Sequence, residues 1–388
     1  MAKSTGRRPR RRANGEGSIY PFRSGWAGAV SWTDSAGKRH RRVAYGKTQD
    51  EVRRSIAALR VGVDRGMAPG ERRTVAAFLA EWLEATRQRI RHSTWRGYES
   101  CVRVYLVPAI GRLELEKLTP TDVERVTAGL VAAGRAPRTA ALTRIVLRRA
   151  LADAERDGLV HRNVAALARP PHVPSRSLEV GRDYLDAAQL RRLLETAALH
   201  PLGPLVTVAA ATGLRLGELL GLTWTAVDED AGTLAVRRSL ARVPGGWALA
   251  EPKTSRSRRS IDLPRAARAA LARQHGLQDA ARDAAGTAWQ DRDGLAFTDA
   301  VGRPLRGSEV NHAFHRLLDA AGLPSVPFHG LRHSAATAML AAGVPLKVVS
   351  DHLGHSTITT TADRYAGVTP ALRRTTADAI DRALGAGR

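Results

Sequence analysis

Midway along the chain, ARPPHVPSRSLEVGRD separates two long helical patterns with three prolines and no apolar repeat. A proline fixes φ and has no N–H to donate, so neither a helix nor a central strand runs through such a stretch. It reads as an exposed linker over residues 169–182 and gives the front and back of the polypeptide separate cores. With 388 residues, 43% of them hydrophobic, the chain can fill two or three cores.

The front of the chain changes period twice. Residues 1–13, ending in RRPRRR, have no apolar periodicity and read as a tail that is disordered until it meets an anion. In GWAGAVSWTD, Trp26, Gly28, Val30 and Trp32 alternate with Ala27, Ala29 and Ser31, the period of a strand. DSAG supplies a turn, and KRHRRVAYG returns as a further strand. Thr48 with Glu51 three residues on is a capping box for a helix through EVRRSIAALRVGVDRG. Residues 14–66 thus form a very small domain of three strands and one helix, with its Trp and Tyr residues read as core.

From 71 to 168 the period is helical. Val75, Phe78, Leu79 and Trp82 share a face. Ser93 is the expected N-cap of a second helix that Pro108 stops. Thr119 caps a third with Pro120 at its first position, and PRTAALTRIVLRRALADAERDG is a fourth. Four helices of this kind make an antiparallel bundle. Beyond the linker, PLGPLVTVAAATGLRLGELLGL reads as two packed helices, 233–263 as short strands around a loop, and 276–294 as a polar loop within a helical remainder. The expected fold class is mainly α with small β-sheets (α+β).

Charge is distributed unevenly. Of the net +24, +18 lies in the first 170 residues. A basic front and a nearly balanced back suggest a polyanion grip ahead of a chemical module. Arg7, Arg8, Arg10, Arg11 and Arg12 in the tail, with Lys38, Arg39, Arg41 and Arg42 on the strand, are the candidate contacts to nucleic acid. Cys101 is the sole cysteine, which excludes an intramolecular disulfide and a C-x-x-C metal site. No apolar run approaches the ~18 residues of a spanning helix, and no apolar segment follows the basic start. These features point to a cytoplasmic protein with no membrane partner.

The back half carries an ordered set of polar residues: Arg215, Lys253, His329, Arg332, His355 and Tyr365, in ATGLRLGEL, EPKTSRSRR, HGLRHS, DHLGHS and ADRYA. Four of these can bind or protonate phosphate oxygens, and with a further histidine they lead up to one phenol, a mixture suited to attack on a phosphodiester. Arg215 and Glu218 are three apart and share a helical face. Glu218 either orients the guanidinium towards a phosphate or forms a purely structural pair; the segment alone does not choose. His329, Arg332 and His333 lie at i, i+3 and i+4, beside an apolar stripe of Leu331, Ala335, Ala338 and Met339. H-x-x-x-H invites a zinc reading, but Gly330 stands where a metalloprotease helix needs its glutamate. His333 reads as a packing residue behind the reacting groups. Lys253 follows Glu251-Pro252 and is the only lysine of a loop that also holds Arg256, Arg258 and Arg259.

On these segments the chain resembles the tyrosine recombinase family of phage-type integrases over nearly its whole length. The resemblance implies an arm-type DNA-binding domain (14–66), a core-binding helical domain (71–168) and a catalytic domain (183–388). It implies that Arg215 and Arg332 clamp the scissile phosphate and His355 donates to the same oxygens. Tyr365 attacks with His329 as base, Lys253 protonates the departing 5′ oxygen, and no cofactor or metal is needed. It implies double-stranded DNA attachment sites as substrate and a homotetramer on DNA, and leaves open a directionality factor and a host DNA-bending protein. Leu372, Ala379, Ile380 and Leu384 stripe a helix after Tyr365 that, on the resemblance, docks on a neighbouring subunit rather than in cis. Rival readings are a transposase of an integrative conjugative element, a type IB topoisomerase and a non-catalytic DNA-binding protein.

Overall fold

The computed structural model describes residues 18–33, 37–64, 73–174, 178–251, 258–291, 293–354, 357–359 and 362. The basic tail with Arg7, Arg8, Arg10, Arg11 and Arg12, the residues Lys253, His355 and Tyr365, and the C-terminal helical segment lie outside the described residues. The polypeptide divides into two compact units, Met1–Pro174 and Ser175–Arg388.

In the first unit, β1 (Ser18–Phe22), β2 (Gly25–Thr33) and β3 (Arg39–Gly46) form an antiparallel sheet in the order β1-β2-β3. Helix α1 (Gln49–Asp64) covers one face, and Thr48 and Glu51 exchange the expected cap bonds. Val30, Val52 and Ile56 form its core, with Trp26 packed against them. Gly28 lets the helix approach: a Cβ there would lie 2.4 Å from Ile56 Cδ1. One aromatic departs from expectation. Tyr45 is 63% exposed, with its ring 5.3 Å from that of Phe22 on the face away from α1.

The helical part of this unit comprises α2 (Val75–Arg87), α3 (His92–Cys101), α4 (Val107–Ile110), α5 (Pro120–Ala132), α6 (Pro137–Arg156) and α7 (Val164–Leu167). Val75, Phe78, Leu79 and Trp82 are buried together with Val146, Leu147 and Leu151. Trp82 satisfies its indole N–H on Asp153 at 2.8 Å. Two expectations fail here. The cap of α3 is Arg91 rather than Ser93. Pro108 also does not stop the helix. Residues Val102–Leu106 widen into a π turn, with Val107 N–H reaching Val102 O, and Pro108 enters the first turn of α4, where its missing N–H costs little.

In the second unit, α8 (Ala187–Ala197), α9 (Gly203–Thr212) and α10 (Leu216–Leu220) precede the strands. β4 (Val227–Asp228), β5 (Thr233–Val236) and β8 (Arg259–Asp262) make one antiparallel sheet; β6 (Ser239–Val243) and β7 (Gly246–Ala250) form a hairpin. Then follow α11 (Arg265–Ala285), α12 (Gly307–Ala320), α13 (Gly330–Ala341) and α14 (Leu346–Leu353). Leu205, Leu219, Leu234, Ile261, Phe314 and Leu331 belong to the main core, and each buried side chain of this size stabilises by about 1.5–3 kcal/mol. The expected loop over 276–294 is wrong in its first half. Helix α11 runs to Ala285 because Ala267, Ala270, Leu271, Gln274 and Gln278 keep a buried stripe. The polar Gln278 belongs to it, accepting from Trp224 Nε1 at 2.6 Å and donating to Leu295 O at 2.8 Å. Ala338 also leaves the stripe expected on α13 and is exposed, whereas Leu331 and Ala335 are buried. Among the described residues no helix is long and apolar enough to cross a membrane.

Candidate active site

Buried helix α9 ends at Gly213, which takes φ +64. Only a residue without Cβ adopts this turn cheaply, and a methyl there would lie 2.7 Å from Leu353 Cδ2. The turn sends Leu214 into the core and leaves Arg215 extended at the entrance of α10. Glu218, one turn on, accepts the Arg215 main-chain N–H at 3.0 Å and its Nη1 at 2.8 Å.

Glu218 is nearly inaccessible yet carries more than one cation. Arg259 Nη2 donates to Oε2 at 3.1 Å and Nη1 approaches Oε1 at 3.4 Å. Burial alone would push the Glu218 carboxyl up. The charge and hydrogen bond of Arg259, then the N–H and charge of Arg215, outweigh it and hold the pKa below the ordinary glutamate value. The carboxylate therefore stays ionised between two guanidinium groups.

Arg332 is 2% exposed and enters the same region from α13. Its Nη1 donates to Gly213 O at 2.7 Å and its Nη2 to Leu353 O at 2.6 Å. Arg215 Nη2 donates to Gly354 O at 3.1 Å, and Arg259 Nε to His352 O at 2.6 Å. Three arginines, from β8, α13 and the entrance of α10, thus hold the carbonyls of residues 352, 353 and 354 in turn. These carbonyls close α14 and carry the negative end of its dipole, so cations suit them. The turn they fix leads in sequence directly to His355.

The histidines differ. His352 donates Nε2–H to Thr212 O at 3.0 Å. Burial, with the charges of Arg259 and Arg332, outweighs that bond and lowers its pKa, so the ring is neutral. His329 is exposed at the entrance of α13, and its ring meets the buried His333 edge-on at 5.0 Å. Ser334 clamps α13 by donating to Leu185 O at 2.8 Å and accepting its N–H at 3.0 Å.

Of the residues the sequence singled out in this half, Arg215, Glu218 and Arg332 meet around one turn, and His329 and His333 lie on the helix that supplies Arg332. Sequence reasoning placed Arg259 only among the basic residues of the loop after Lys253, whereas it begins β8, and gave neither it nor His352 a role at the site. The signal for Arg259 was its place at the head of a strand pattern, RSIDL, where alternation assigns every second side chain to the interior.

The phage integrase family model matches residues 183–371, and that of the phage integrase N-terminal SAM-like domain matches 74–130. An integrase of Streptomyces ambofaciens is 30% identical over 378 residues, 92% of this chain and 93% of that protein. The chain belongs to the phage integrase family. As a family member it is a tyrosine site-specific recombinase, an enzyme that breaks and rejoins DNA strands. Solved structures share the fold. The Tn1549 transposon integrase in complex with a circular intermediate DNA matches with a TM-score of 0.66 at 22% identity, covering 78% of this chain and 99% of that one. A lambda integrase tetramer bound to a Holliday junction matches at 0.57 and 19%, covering 91% and 96%. The integrase fold accounts for the architecture expected from the sequence, a mainly helical protein with small antiparallel sheets.

Proposed function

We propose that this integrase cuts each DNA strand by in-line attack of the Tyr365 phenol on a phosphorus held by Arg215 and Arg332. The Tyr365 oxygen–phosphorus bond forms as the phosphorus–5′ oxygen bond breaks, leaving a 3′-phosphotyrosyl link. The phenol proton passes to His329, and Lys253 protonates the departing 5′ oxygen. His355 donates to the non-bridging oxygens, whose growing charge the two guanidinium groups neutralise. The 5′ hydroxyl of another cut strand then reverses the step and completes exchange.

The observation that carries this reading is the meeting of Arg215 and Arg332 on adjacent carbonyls, Gly354 and Leu353, one residue ahead of His355. Exchange between two duplexes needs four cuts, which supports a homotetramer; the lambda integrase tetramer on a Holliday junction gives the precedent. The basic three-stranded domain, with Lys38, Arg39, Arg41 and Arg42, would hold distant arm sites while residues 71–168 and 183–388 clamp the core. The substrate is then the attachment DNA of a phage or other mobile element, acted on in the cytoplasm.

A nicked suicide duplex carrying the attachment core tests the proposal. The expected result is a covalent adduct that disappears in Tyr365→Phe while DNA affinity remains. An adduct that survives that change assigns the nucleophile elsewhere, and affinity with no adduct in the wild type marks a binder.

A further inference from the structure

Arg259 sits at the head of β8, where its Cα pairs with Val236 of β5. Its side chain is 7% exposed, against 38% for Arg215. Burial alone does not separate their tasks, since Arg332 is only 2% exposed; what sets Arg259 apart is that it pairs with the Glu218 carboxylate from the enclosed side, while Arg215 pairs with the same carboxylate from the open side. Yet Arg259 reaches two groups that matter to the site, the Glu218 carboxylate and the His352 carbonyl. It also begins the first described strand after the segment that contains Lys253.

A planar guanidinium can hold such divergent acceptors at once because its N–H groups are fixed in a fork. The charge balance is equally informative. One carboxylate facing Arg215 alone would form a neutral pair and cancel the charge a phosphate needs. With Arg259 on the same carboxylate, two cations share one anion, and the cluster keeps a net positive charge at its exposed end.

Resting on the phosphotyrosyl reading above, we infer that Arg259 is a positioning residue for strand cleavage. It takes up the Glu218 charge and fixes the His352 carbonyl, so that Arg215 stays cationic and aligned with the turn before His355. It touches no DNA itself. Its loss should therefore slow the chemical step and leave DNA affinity in place.

The test uses the full chain and the nicked core duplex, with single-turnover adduct formation at saturating DNA, duplex affinity and melting temperature read in parallel. Arg259→Met should cut the adduct rate about 100-fold, the usual loss when one preorganised donor to developing charge is spoiled. Affinity should hold. Arg259→Lys keeps the charge without the fork and should fall between wild type and Arg259→Met. Adding Glu218→Gln to Arg259→Met removes the carboxylate that would then neutralise Arg215, so the double variant should cleave faster than Arg259→Met alone.

A wild-type rate in Arg259→Met, a double variant no faster than the single, or rates that merely follow melting temperature would each overturn the inference. So would loss of the folded state in both Arg259→Met and Arg259→Lys, since Arg259 would then be structural. Tyr365→Phe runs alongside: an adduct that persists there rejects the phosphotyrosyl reading itself, whatever Arg259 does.

Discussion

Replacing Glu218 by glutamine removes one negative charge from a site where it faces two cations. The amide keeps the volume and one acceptor oxygen, so packing changes little. The cost comes from Arg259, whose 7% exposed side chain loses its counter-charge. Stripping one partner from a buried pair costs about 3–5 kcal/mol. The His352 carbonyl and the amide oxygen remain as acceptors, which favours the lower end. Arg215 adds little, because at 38% exposure water replaces much of what it loses. At about 1.36 kcal/mol per decade, amide protection around α10 should drop between about 10² and about 10⁴-fold. Native-state hydrogen exchange on the full chain measures this at Leu219 and Gly221, whose N–H groups bond Arg215 O at 3.0 Å and Gly217 O at 3.1 Å. Amides of α6, in the other unit, serve as the reference. Adding Arg259→Met should restore most of the protection, because removing both partners leaves no orphan charge. A drop below tenfold at α10, or an equal drop at α6, would refute the claim that Glu218 neutralises a buried cation.

Three further expectations follow from the same geometry. Gly213→Ala forces a side chain into left-handed backbone at about 1–2 kcal/mol and drives a methyl against Leu353; melting temperature and adduct rate should both fall, and unchanged values would show that the turn does not support Arg332. The His352 pKa is lowered on folding, so its contribution is complete above the ordinary histidine pKa and is lost as pH falls through the folded value. Thermal melts should decline with a slope of up to about 1.4 kcal/mol per pH unit in that window; His352→Gln should flatten it, and an identical slope would contradict the buried neutral ring. Glu218 follows the same sign further down, below the ordinary glutamate range. Finally, arm-site affinity should fall steeply with salt, and Arg41→Gln should reduce the log–log slope by about 1; a flat salt response would remove the strand from the interface.

What the sequence could reveal depended on how far apart the interacting residues lie. Arg215 with Glu218 was legible because three residues on a helix fix their neighbourhood, and the Thr48–Glu51 box and the Thr119 cap were legible for the same reason; that Asp122 completes a box with Thr119 emerged only from the structure. Arg259 was not. Its partners lie 41 and 93 residues away, and they meet only once β8 has paired with β5 and α14 has packed on α13. The end of α11 was misread because Gly276 and a run of polar residues resemble a loop, while Gln278 is a polar member of the buried face. Pro108 misled because a π turn can absorb its missing donor, which local preference does not anticipate.

The central claim is that Arg215 and Arg332 converge on one phosphorus. The most direct measurement is a structure of the Tyr365→Phe chain on an uncut core duplex. Both guanidinium groups should lie within hydrogen-bond distance of the non-bridging oxygens of a single phosphate, with residue 365 opposite the 5′ oxygen. Guanidinium groups on different phosphates, or Arg332 remaining on the Gly213 and Leu353 carbonyls with no phosphate contact, would contradict it.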